Sequence, residues 1–321
     1  MTTSKILAIS GGVGGAKLAL GLSRVLPPEE LGVVANTGDD FEHLGMRIAP
    51  DLDTVMYTLA ELSNKNQGWG LAGESWNFLE ALARLGDETW FQLGDQDMAT
   101  HIVRTHKLAE GETLSEVTRY LCRQLGIEHS LMPMTDDDVR TVVHTRNGET
   151  LAFQHYFVRE RCAPEVTGFD FLNIDTAAPA PEFSAFLEDP ALGAIVICPS
   201  NPFVSVDPVL KLPGVIGAMR RSQAPVIAVS PIVGGQAIKG PAAKMMAELG
   251  MPLSAEAVAE HYRGRIDGFV LDQQDASLKD SIDSMGIATI STNTVMVTLD
   301  DRIALANDIL RFAKELSNRS L

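Results

Sequence analysis

An apolar run near the amino end of the chain stops abruptly at a cluster of glycines. Residues 5–10 read Lys-Ile-Leu-Ala-Ile-Ser, residues 11–15 read Gly-Gly-Val-Gly-Gly, and a helical pattern of apolar residues follows at 17–25. Strand, glycine turn and helix in that order form a βα unit, the building block of a doubly wound sheet. The sequence therefore predicts an α/β fold in which this turn lies at the carboxyl edge of the sheet.

Later segments repeat this pattern of buried strand and helix. Apolar runs rich in Val, Ile and Ala are separated by helix-length segments, which is typical of parallel strands that are covered on both faces. The predicted strands lie at residues 31–36, 194–198, 225–230, 268–271 and 287–290. A final helix is expected at about 301–316, so a parallel sheet accounts for both ends of the chain.

The middle of the chain has a different pattern. Apolar periodicity and capping signals predict successive helices, with Asp53 as the expected N-cap of the first. These helices lie at about 55–62, 75–85, 96–108 and 113–125. Two alternating runs, 140–145 and 150–157, flank the dipeptide Asn147-Gly148, which is a strong signal for a β-hairpin.

These patterns together predict one Rossmann-like domain over residues 1–321. We expect a three-layer α/β fold whose mainly parallel core comes from about 1–54 and 190–321. A mostly helical insertion with a β-hairpin is expected between them, at about 55–189.

Composition and charge limit the partners. The formal net charge of -16 opposes binding to nucleic acid, whose phosphates are captured mainly by basic side chains. No apolar stretch approaches the roughly 18 residues that a membrane span needs, and the cysteines Cys122, Cys162 and Cys198 show no metal or redox spacing. We therefore expect a cytoplasmic protein with no nucleic-acid or membrane partner. A small polyanionic ligand would need backbone amides, local cations or a carboxylate-bound metal.

The glycine turn is a candidate nucleotide or phosphate site. Ligands of doubly wound sheets bind beyond the carboxyl ends of the strands, and glycines let backbone amides approach a phosphate at a helix N-terminus. The candidate residues are Gly11, Gly12, Gly14, Gly15 and Lys17. The turn matches neither G-x-G-x-x-G nor the P-loop pattern, so a tight structural turn is the alternative.

Two acidic loops follow the glycine turn. Asp39 and Asp40 come after the second predicted strand, and Asp51 and Asp53 precede the next helix. Carboxylates on neighbouring loops can hold Mg²⁺, which uses one or two of them and keeps its other positions for water and phosphate. The alternative is that these residues serve as helix caps and solvated turns. Their proximity to the glycine turn favours the metal site.

Residues 93–101 form a further polar segment. Asp97 and His101 are four residues apart and share a helix face, and histidine is the usual acid or base near neutral pH. The alternative is structural, with Asp95 as a cap and His101 in a local hydrogen bond.

Two predicted strands end in turns that contain Ser and Pro. Ser200 and Asn201 follow one strand and Ser230 follows another, with Lys239 further along. Such turns can be purely architectural. Their position at the ligand-binding edge favours hydroxyl and amide contacts to a base or phosphate, with Lys239 as a charge.

Taken together, these segments resemble the 2-phospho-L-lactate transferase family of coenzyme F-420 biosynthesis. The matching segments are 10–17, 36–40, 50–54, 93–97 with 99–101, 199–202 and 230–232, together with 69–70, 133–134 with 136–137, 153–154 and 211–214. The resemblance covers almost the whole chain in the right order.

The resemblance implies a Rossmann-like fold, usually a homodimer, that binds a guanosine diphosphate ester of a three-carbon acid (lactyl, enolpyruvyl or glyceryl) and the deazaflavin alcohol Fo. The ribityl hydroxyl of Fo attacks the phosphate nearer the acid, GMP departs, and Mg²⁺ assists. Substitution at phosphorus requires mainly positioning and charge neutralisation. Amide loops and a carboxylate-held metal supply both.

The resemblance also implies roles for individual residues. The glycines at 11–15 lie near the nucleotide or phosphates, Asp40 and Asp53 near the metal, and Asp53 with Gln96 near Fo. Asp97 and His101 line the same cleft as Asp95, so Asp40, Asp53, Asp97 and His101 are the predicted catalytic residues. Family members commonly carry Arg at the position of Gln96, where a charged contact is lost or replaced.

Two questions stay open at this point. The resemblance does not fix a general base, and Asp39 and Asp51 are both candidates. The alternative to a transferase is a sister family of nucleotide-sugar-binding regulators, which shares the glycine loop and the fold but need not catalyse a reaction. In that family a Gly-Ser-rich turn typically follows the acidic loop. Here residues 41–45 read Phe-Glu-His-Leu-Gly, which favours the transferase. A nicotinamide dehydrogenase is disfavoured because the dinucleotide fingerprint is absent.

Overall fold

The computed structural model of the chain describes residues 4–65, 67–238 and 240–319. The strands are β1 (Lys5–Ser10), β2 (Leu31–Ala35), β3 (Phe41–His43), β4 (Met46–Ile48), β5 (Ser130–Pro133), β6 (Arg140–Thr145), β7 (Thr150–Ala152), β8 (Val166–Leu172), β9 (Leu192–Ile197), β10 (Val226–Val229), β11 (Ile232–Val233), β12 (Gln236–Ala237), β13 (Gly268–Asp272) and β14 (Ala288–Thr292). The helices are α1 (Gly12–Ser23), α2 (Pro50–Leu59), α3 (Asn77–Leu85), α4 (Asp97–Ala109), α5 (Leu114–Gln124), α6 (Pro181–Leu187), α7 (Asp207–Lys211), α8 (Val215–Ser222), α9 (Ala242–Glu248), α10 (Ala255–His261), α11 (Lys279–Ser284) and α12 (Leu299–Arg319).

A seven-stranded sheet forms the centre of the molecule. Its strands pair in parallel in the order β14-β13-β10-β9-β1-β2-β5. Starting from the β5 edge, the sheet contains β5, β2 and β1 in reverse chain order, followed by β9, β10, β13 and β14 in forward chain order. This change of direction at β1 is the doubly wound arrangement. The order reverses between β1 and β9, where Ile9 is paired with Val34 on one side and Ile197 on the other. The ligand crevice of such a sheet lies beyond the carboxyl ends of these two strands.

Apolar layers cover both faces of the sheet, as the buried strands require. Leu7 and Ile9 of β1 face one layer, which includes α6 to α10 and the three-stranded sheet β7-β6-β8. Ile6 and Ala8 face the other, built from α1, α2, α5 and α12. This confirms the predicted Rossmann-like α/β class with a mainly parallel sheet, and the hairpin at Asn147-Gly148 is present as β6-β7.

Some elements differ from the prediction. Strand β5 pairs with β2 in the central sheet although it lies within 55–189, so this segment is not wholly an insertion. Pro50 begins α2 with Ala49 as its N-cap, so the prediction of Asp53 as N-cap was wrong. The run predicted as a strand at 150–157 ends at Ala152 and continues as a π-helical turn, His155–Arg159. Helix α1 begins within the glycine turn, at Gly12.

Among the described residues, no single helix has the length and apolar character to cross a membrane. Pro202–Lys211 and Val215–Ser222 reach that length and composition only as a pair, which is bent by 78°.

Candidate active site

The candidate site lies where the chain leaves β1 and β9. Gly11 follows β1 directly, and its N–H donates to Ser200 Oγ, 3.1 Å away in the turn that follows β9. Helix α1 begins at the next residue. Because the first turn of a helix has N–H groups with no partner inside the helix, those of Val13 and Gly14 remain for outside acceptors. The structure thus brings the glycine turn and Ser200 together at the switch point of the sheet.

Close packing explains the glycines of this turn. A Cβ on Gly14 would lie 2.3 Å from the carbonyl oxygen of Pro199, and one on Gly15 would lie 2.5 Å from Ser10 Oγ. A Cβ on Gly11 would meet Ser205 Cβ at 2.4 Å. Close packing is therefore sufficient to require glycine at these three positions. It does not conflict with anion binding, because the N-terminus of α1 still lies at this turn.

Two acidic side chains, Asp39 and Asp51, are held together at the start of α1. Asn36, which follows β2, donates from Nδ2 to Asp39 Oδ1 at 2.9 Å and to Asp51 Oδ2 at 3.0 Å. Asp51 Oδ1 accepts the N–H of Gly12 at 2.6 Å, and Gln154 Nε2 donates to Asp39 Oδ2 at 3.2 Å. One amide side chain therefore holds two carboxylates together and against the first turn of α1.

Burial without a matching positive charge raises the pKa of these acids. Burial, then the charges of Asp51 and Asp40, raises the pKa of Asp39 well above its usual value. Burial raises the pKa of Asp51 to about 6, against the lowering effect of the hydrogen bonds from Asn36 and Gly12. A cation or a hydrogen-bond donor on a ligand would therefore be stabilised strongly here.

Asp40 lies beside a small cavity of about 80 Å³, whose lining includes Thr37, Arg104 and Arg140 as well as apolar side chains such as Phe41. Burial raises the pKa of Asp40 well above its usual value although Arg140 and Arg104 oppose the shift. Asp40 Oδ1, Thr37 Oγ1 and Arg104 Nε are buried, and none has a hydrogen-bond partner among the described residues. Buried polar atoms are normally paired, so these three residues have unused capacity to bond a polar ligand, water or an ion.

Asp53 has a different environment, although it is only two residues from Asp51. The guanidinium of Arg104 grips both of its oxygens, with Nη2 on Oδ1 and Nη1 at 3.1 Å from Oδ2. His101 Nδ1 lies 3.6 Å from Asp53 Oδ2. Asp53 is 5% exposed and Arg104 is 2% exposed, so this is a buried, bidentate ion pair.

The same network continues to Asp97 on α4. His101 Nε2 lies 3.4 Å from Asp97 Oδ2, and Tyr57 Oη donates to Asp97 Oδ1 at 2.5 Å. Burial acts to raise the pKa of Asp97, but His101 and then the Tyr57 hydrogen bond lower it below its usual value. Asp53, Asp97 and His101 are therefore brought together in one buried network with Arg104.

Gln96 and Asp95 occupy the turn before α4. Glu74 accepts the N–H of Gln96 and that of Asp97, both at 2.8 Å, and Gln96 Nε2 donates to the carbonyl of Gly73 at 3.0 Å. Asp95 accepts hydrogen bonds from Ser75, Asn77 and Phe78. These hydrogen bonds, from Ser75 first, lower the pKa of Asp95 to about 2. Asp95 thus acts as a local anchor of this turn.

The remaining predicted residues make contacts elsewhere: Asn201 and Ser230 within their own turns, and Lys17 with a distant carbonyl. Asn201 accepts the N–H of Phe203 at 3.0 Å, and Ser230 Oγ donates to the carbonyl of Ile232 at 2.8 Å. Lys17 Nζ donates to the carbonyl of Met296 at 3.0 Å. Lys239 lies outside the described residues.

Sequence reasoning gave no role to the residues that organise the site. Asn36 and Gln154 stood in matched segments without a role, while Tyr57, Glu74 and Arg104 were not singled out. Arg104 lies three residues after His101 on α4 and so faces the same side of the helix. That spacing is a signal for Arg104, whereas its partner Asp53 is 51 residues away in sequence and no local pattern could identify it.

The fold and the site define a class: a doubly wound, Rossmann-like α/β protein with buried carboxylates beside the helix that begins at its switch point. Within this class, the family model described as 2-phospho-L-lactate transferase CofD matches residues 6–310. The chain belongs to this transferase family, which confirms the resemblance read from its motifs.

Relatives over the full length agree with this assignment. The chain is 40% identical over 320 residues to a phosphoenolpyruvate transferase of Streptomyces griseus subsp. griseus, covering 97% of this chain and 99% of that one. It is 36% identical over 306 residues to a 2-phospho-L-lactate transferase of Methanosarcina acetivorans, covering 95% and 98%. A solved UPF0052 family protein from Bacillus halodurans shares the fold, with a TM-score of 0.62 at 14% identity over 97% of this chain and 99% of that one.

Proposed function

We propose that this chain transfers a phospho-carboxylic acid group from a guanosine diphosphate donor to the ribityl hydroxyl of the deazaflavin Fo, with release of GMP, in cytoplasmic coenzyme F-420 biosynthesis. Membership of the transferase family supports the reaction class. The observation that carries the proposal is the group of buried carboxylates Asp39, Asp40 and Asp51 beside the start of α1. A diphosphate and its counter-ion match such a site.

The chain's own residues would act mainly by positioning. The N–H groups at the start of α1 and the positive end of its dipole face the phosphates. Asp51 fixes the first turn of α1 through Gly12. With a pKa raised by burial to about 6, Asp51 is also better matched than an ordinary aspartate to accept the proton of the attacking hydroxyl. Asp39 is the second candidate for that role.

Mg²⁺ is the proposed cofactor. The partnerless, buried Oδ1 of Asp40 suits a hard cation that prefers oxygen and few carboxylates. When bound, Mg²⁺ would neutralise charge on the diphosphate. The described residues include no group of three or more His, Cys, Asp or Glu arranged to hold a metal, so water and phosphate oxygens would complete the coordination. Both oxygens of Asp53 are already taken by Arg104.

Three donors are compatible with this proposal. Relatives include a phosphoenolpyruvate transferase and a 2-phospho-L-lactate transferase at similar identity, and the glyceryl ester differs from these by a few atoms. Incubation of the purified protein with Fo and each of the lactyl, enolpyruvyl and glyceryl guanosine diphosphate esters, followed by mass spectrometry, identifies the acid. GMP release should equal product formation, and chelation of Mg²⁺ should stop both.

Matched variants locate the chemistry. Asp40→Asn should lose transfer while keeping the fold by circular dichroism, and Asp53→Asn should lose transfer with a lower melting temperature, because buried Arg104 loses its charged partner. Asp170→Asn is the control, because Asp170 pairs with His144 on the three-stranded sheet and is exposed. Absence of transfer with all three donors, or unchanged turnover by both site variants, contradicts the proposal. Light scattering tests the expected homodimer.

A further inference from the structure

Two kinds of buried carboxylate lie within this site. Among the described residues, no cationic side chain forms a hydrogen bond with Asp39, Asp40 or Asp51. Asp53 is paired through both oxygens with Arg104. Arg104, the partner of Asp53, also lines the cavity beside Asp40, so the two carboxylates lie near the same guanidinium and only Asp53 is bonded to it.

Arg104 is held firmly in this position. Its Nη1 also donates to the carbonyl of Arg47 at 3.2 Å and lies 3.2 Å from His101 Nδ1. The guanidinium is 2% exposed, and a planar fork that binds both oxygens of a carboxylate is stronger and more directional than a single contact. To bind a cation, Asp53 would have to leave a buried arginine without its partner, which is a costly arrangement.

We propose that Arg104 is a positioning residue that remains paired with Asp53 and keeps it out of the metal's coordination, so that the cation is held from the side of Asp40. This inference rests on the Mg²⁺ dependence proposed above. It reassigns Asp53: its carboxylate orients Arg104, a residue that also lines the cavity beside Asp40, and it is not a metal ligand.

Mn²⁺ binding in the presence of GDP tests the assignment without turnover. Mn²⁺ is titrated calorimetrically and by its electron paramagnetic resonance signal into the parent protein and four variants. Asp40→Asn should weaken binding by about tenfold or more. The double variant Asp53→Asn/Arg104→Gln, which removes both charges together, should stay within about threefold of the parent. Arg104→Gln alone should bind Mn²⁺ more tightly or bind a second ion, because it frees a carboxylate near Asp40. Asp170→Asn is the unchanged control.

Opposite results overturn the inference. These are a loss of about tenfold or more in the folded double variant, weaker Mn²⁺ binding by Arg104→Gln, or no Mn²⁺ binding by the parent protein with GDP. Failure of transfer with every donor would instead refute the proposed reaction, and the binding assay does not depend on it.

A measurement on the parent protein avoids any folding defect of the variants. Nitrogen-15 NMR of arginine side chains reports whether a guanidinium is held, and the Arg104 signal is assigned by its loss in Arg104→Lys. The signal should keep its slow exchange when Mg²⁺ and GDP are added. Release of the guanidinium on their addition would show that Asp53 transfers to the cation, and would overturn the inference.

Discussion

Replacement of Gly14 by alanine tests the packing role of the glycine turn. The added Cβ would lie 2.3 Å from the carbonyl oxygen of Pro199, about 1 Å inside ordinary contact distance. The obstructing atom belongs to the backbone of the turn after β9, so it cannot rotate away. Relief requires that α1 and this turn move apart at the point where Gly11 and Ser200 are hydrogen-bonded.

The expected magnitude follows from two opposing terms. Alanine is favoured over glycine inside a helix by about 1 kcal/mol, whereas overpacking of a tight contact costs about 1–3 kcal/mol and falls at the upper end when the backbone must shift. We expect Gly14→Ala to lower the free energy of unfolding by roughly 1–2 kcal/mol. Urea unfolding followed by circular dichroism measures this change.

Gly217→Ala is the matched control. Gly217 lies inside α8, and its added Cβ would meet only the end of the Arg221 side chain, at 3.3 Å. This variant should gain about 0.5–1 kcal/mol from helix propensity. If Gly14→Ala proved as stable as the parent while Gly217→Ala showed its gain, the packing explanation of the glycine turn would be refuted.

Three further predictions concern the acids and the turn before α4. The pKa of Asp51 is raised from 3.8 to about 6, so the folded protein binds this proton more tightly than the unfolded chain and the free energy of unfolding falls as pH rises through this interval. Asp51→Asn should reduce that fall, as measured by urea unfolding at several pH values. An unchanged dependence of the unfolding free energy on pH would contradict this prediction. Tyr57→Phe removes the donor to Asp97 and should cost about 1–3 kcal/mol; an unaltered melting temperature would argue against this. In Gly94→Ala the Cβ would lie 2.1 Å from Glu74 Cδ, which would displace the acceptor at the start of α4 and raise the KM for the proposed acceptor Fo; a KM equal to that of the parent would exclude that effect.

Local sequence patterns predicted correctly the elements that depend only on neighbouring residues. The strand, glycine turn and helix at residues 5–23 and the hairpin around Asn147-Gly148 each depend on neighbours within a few residues. Strand β5 has four residues and ends in Pro133, too short for a periodic signal. Only its pairing with β2 makes it a strand.

The site shows the same division between local and long-range information. The sequence placed acids at 39, 40, 51 and 53 near a glycine turn, and it grouped Asp40 with Asp53 near the metal and Asp39 with Asp51 as candidate bases. Their difference comes from distant contacts: Asp39 meets Gln154 across 115 residues, and Asp53 meets Arg104 across 51. Spacing along the chain carries no information on which carboxylate pairs with an arginine and which has no positively charged partner.

This difference has a thermodynamic consequence for the whole site. A carboxylate whose pKa is raised by burial lowers stability at neutral pH, since the unfolded chain ionises it more easily. Burial raises the pKa of Asp39, Asp40 and Asp51, so each of them lowers stability at neutral pH. Asp53 and Asp97 differ because they have polar partners: Arg104 for Asp53, and His101 with Tyr57 for Asp97. Any ligand that brings a cation to the first group binds the folded state only and stabilises it by mass action. The fold thus lacks positive charge beside these carboxylates, at the place where the proposed donor and its counter-ion would bind.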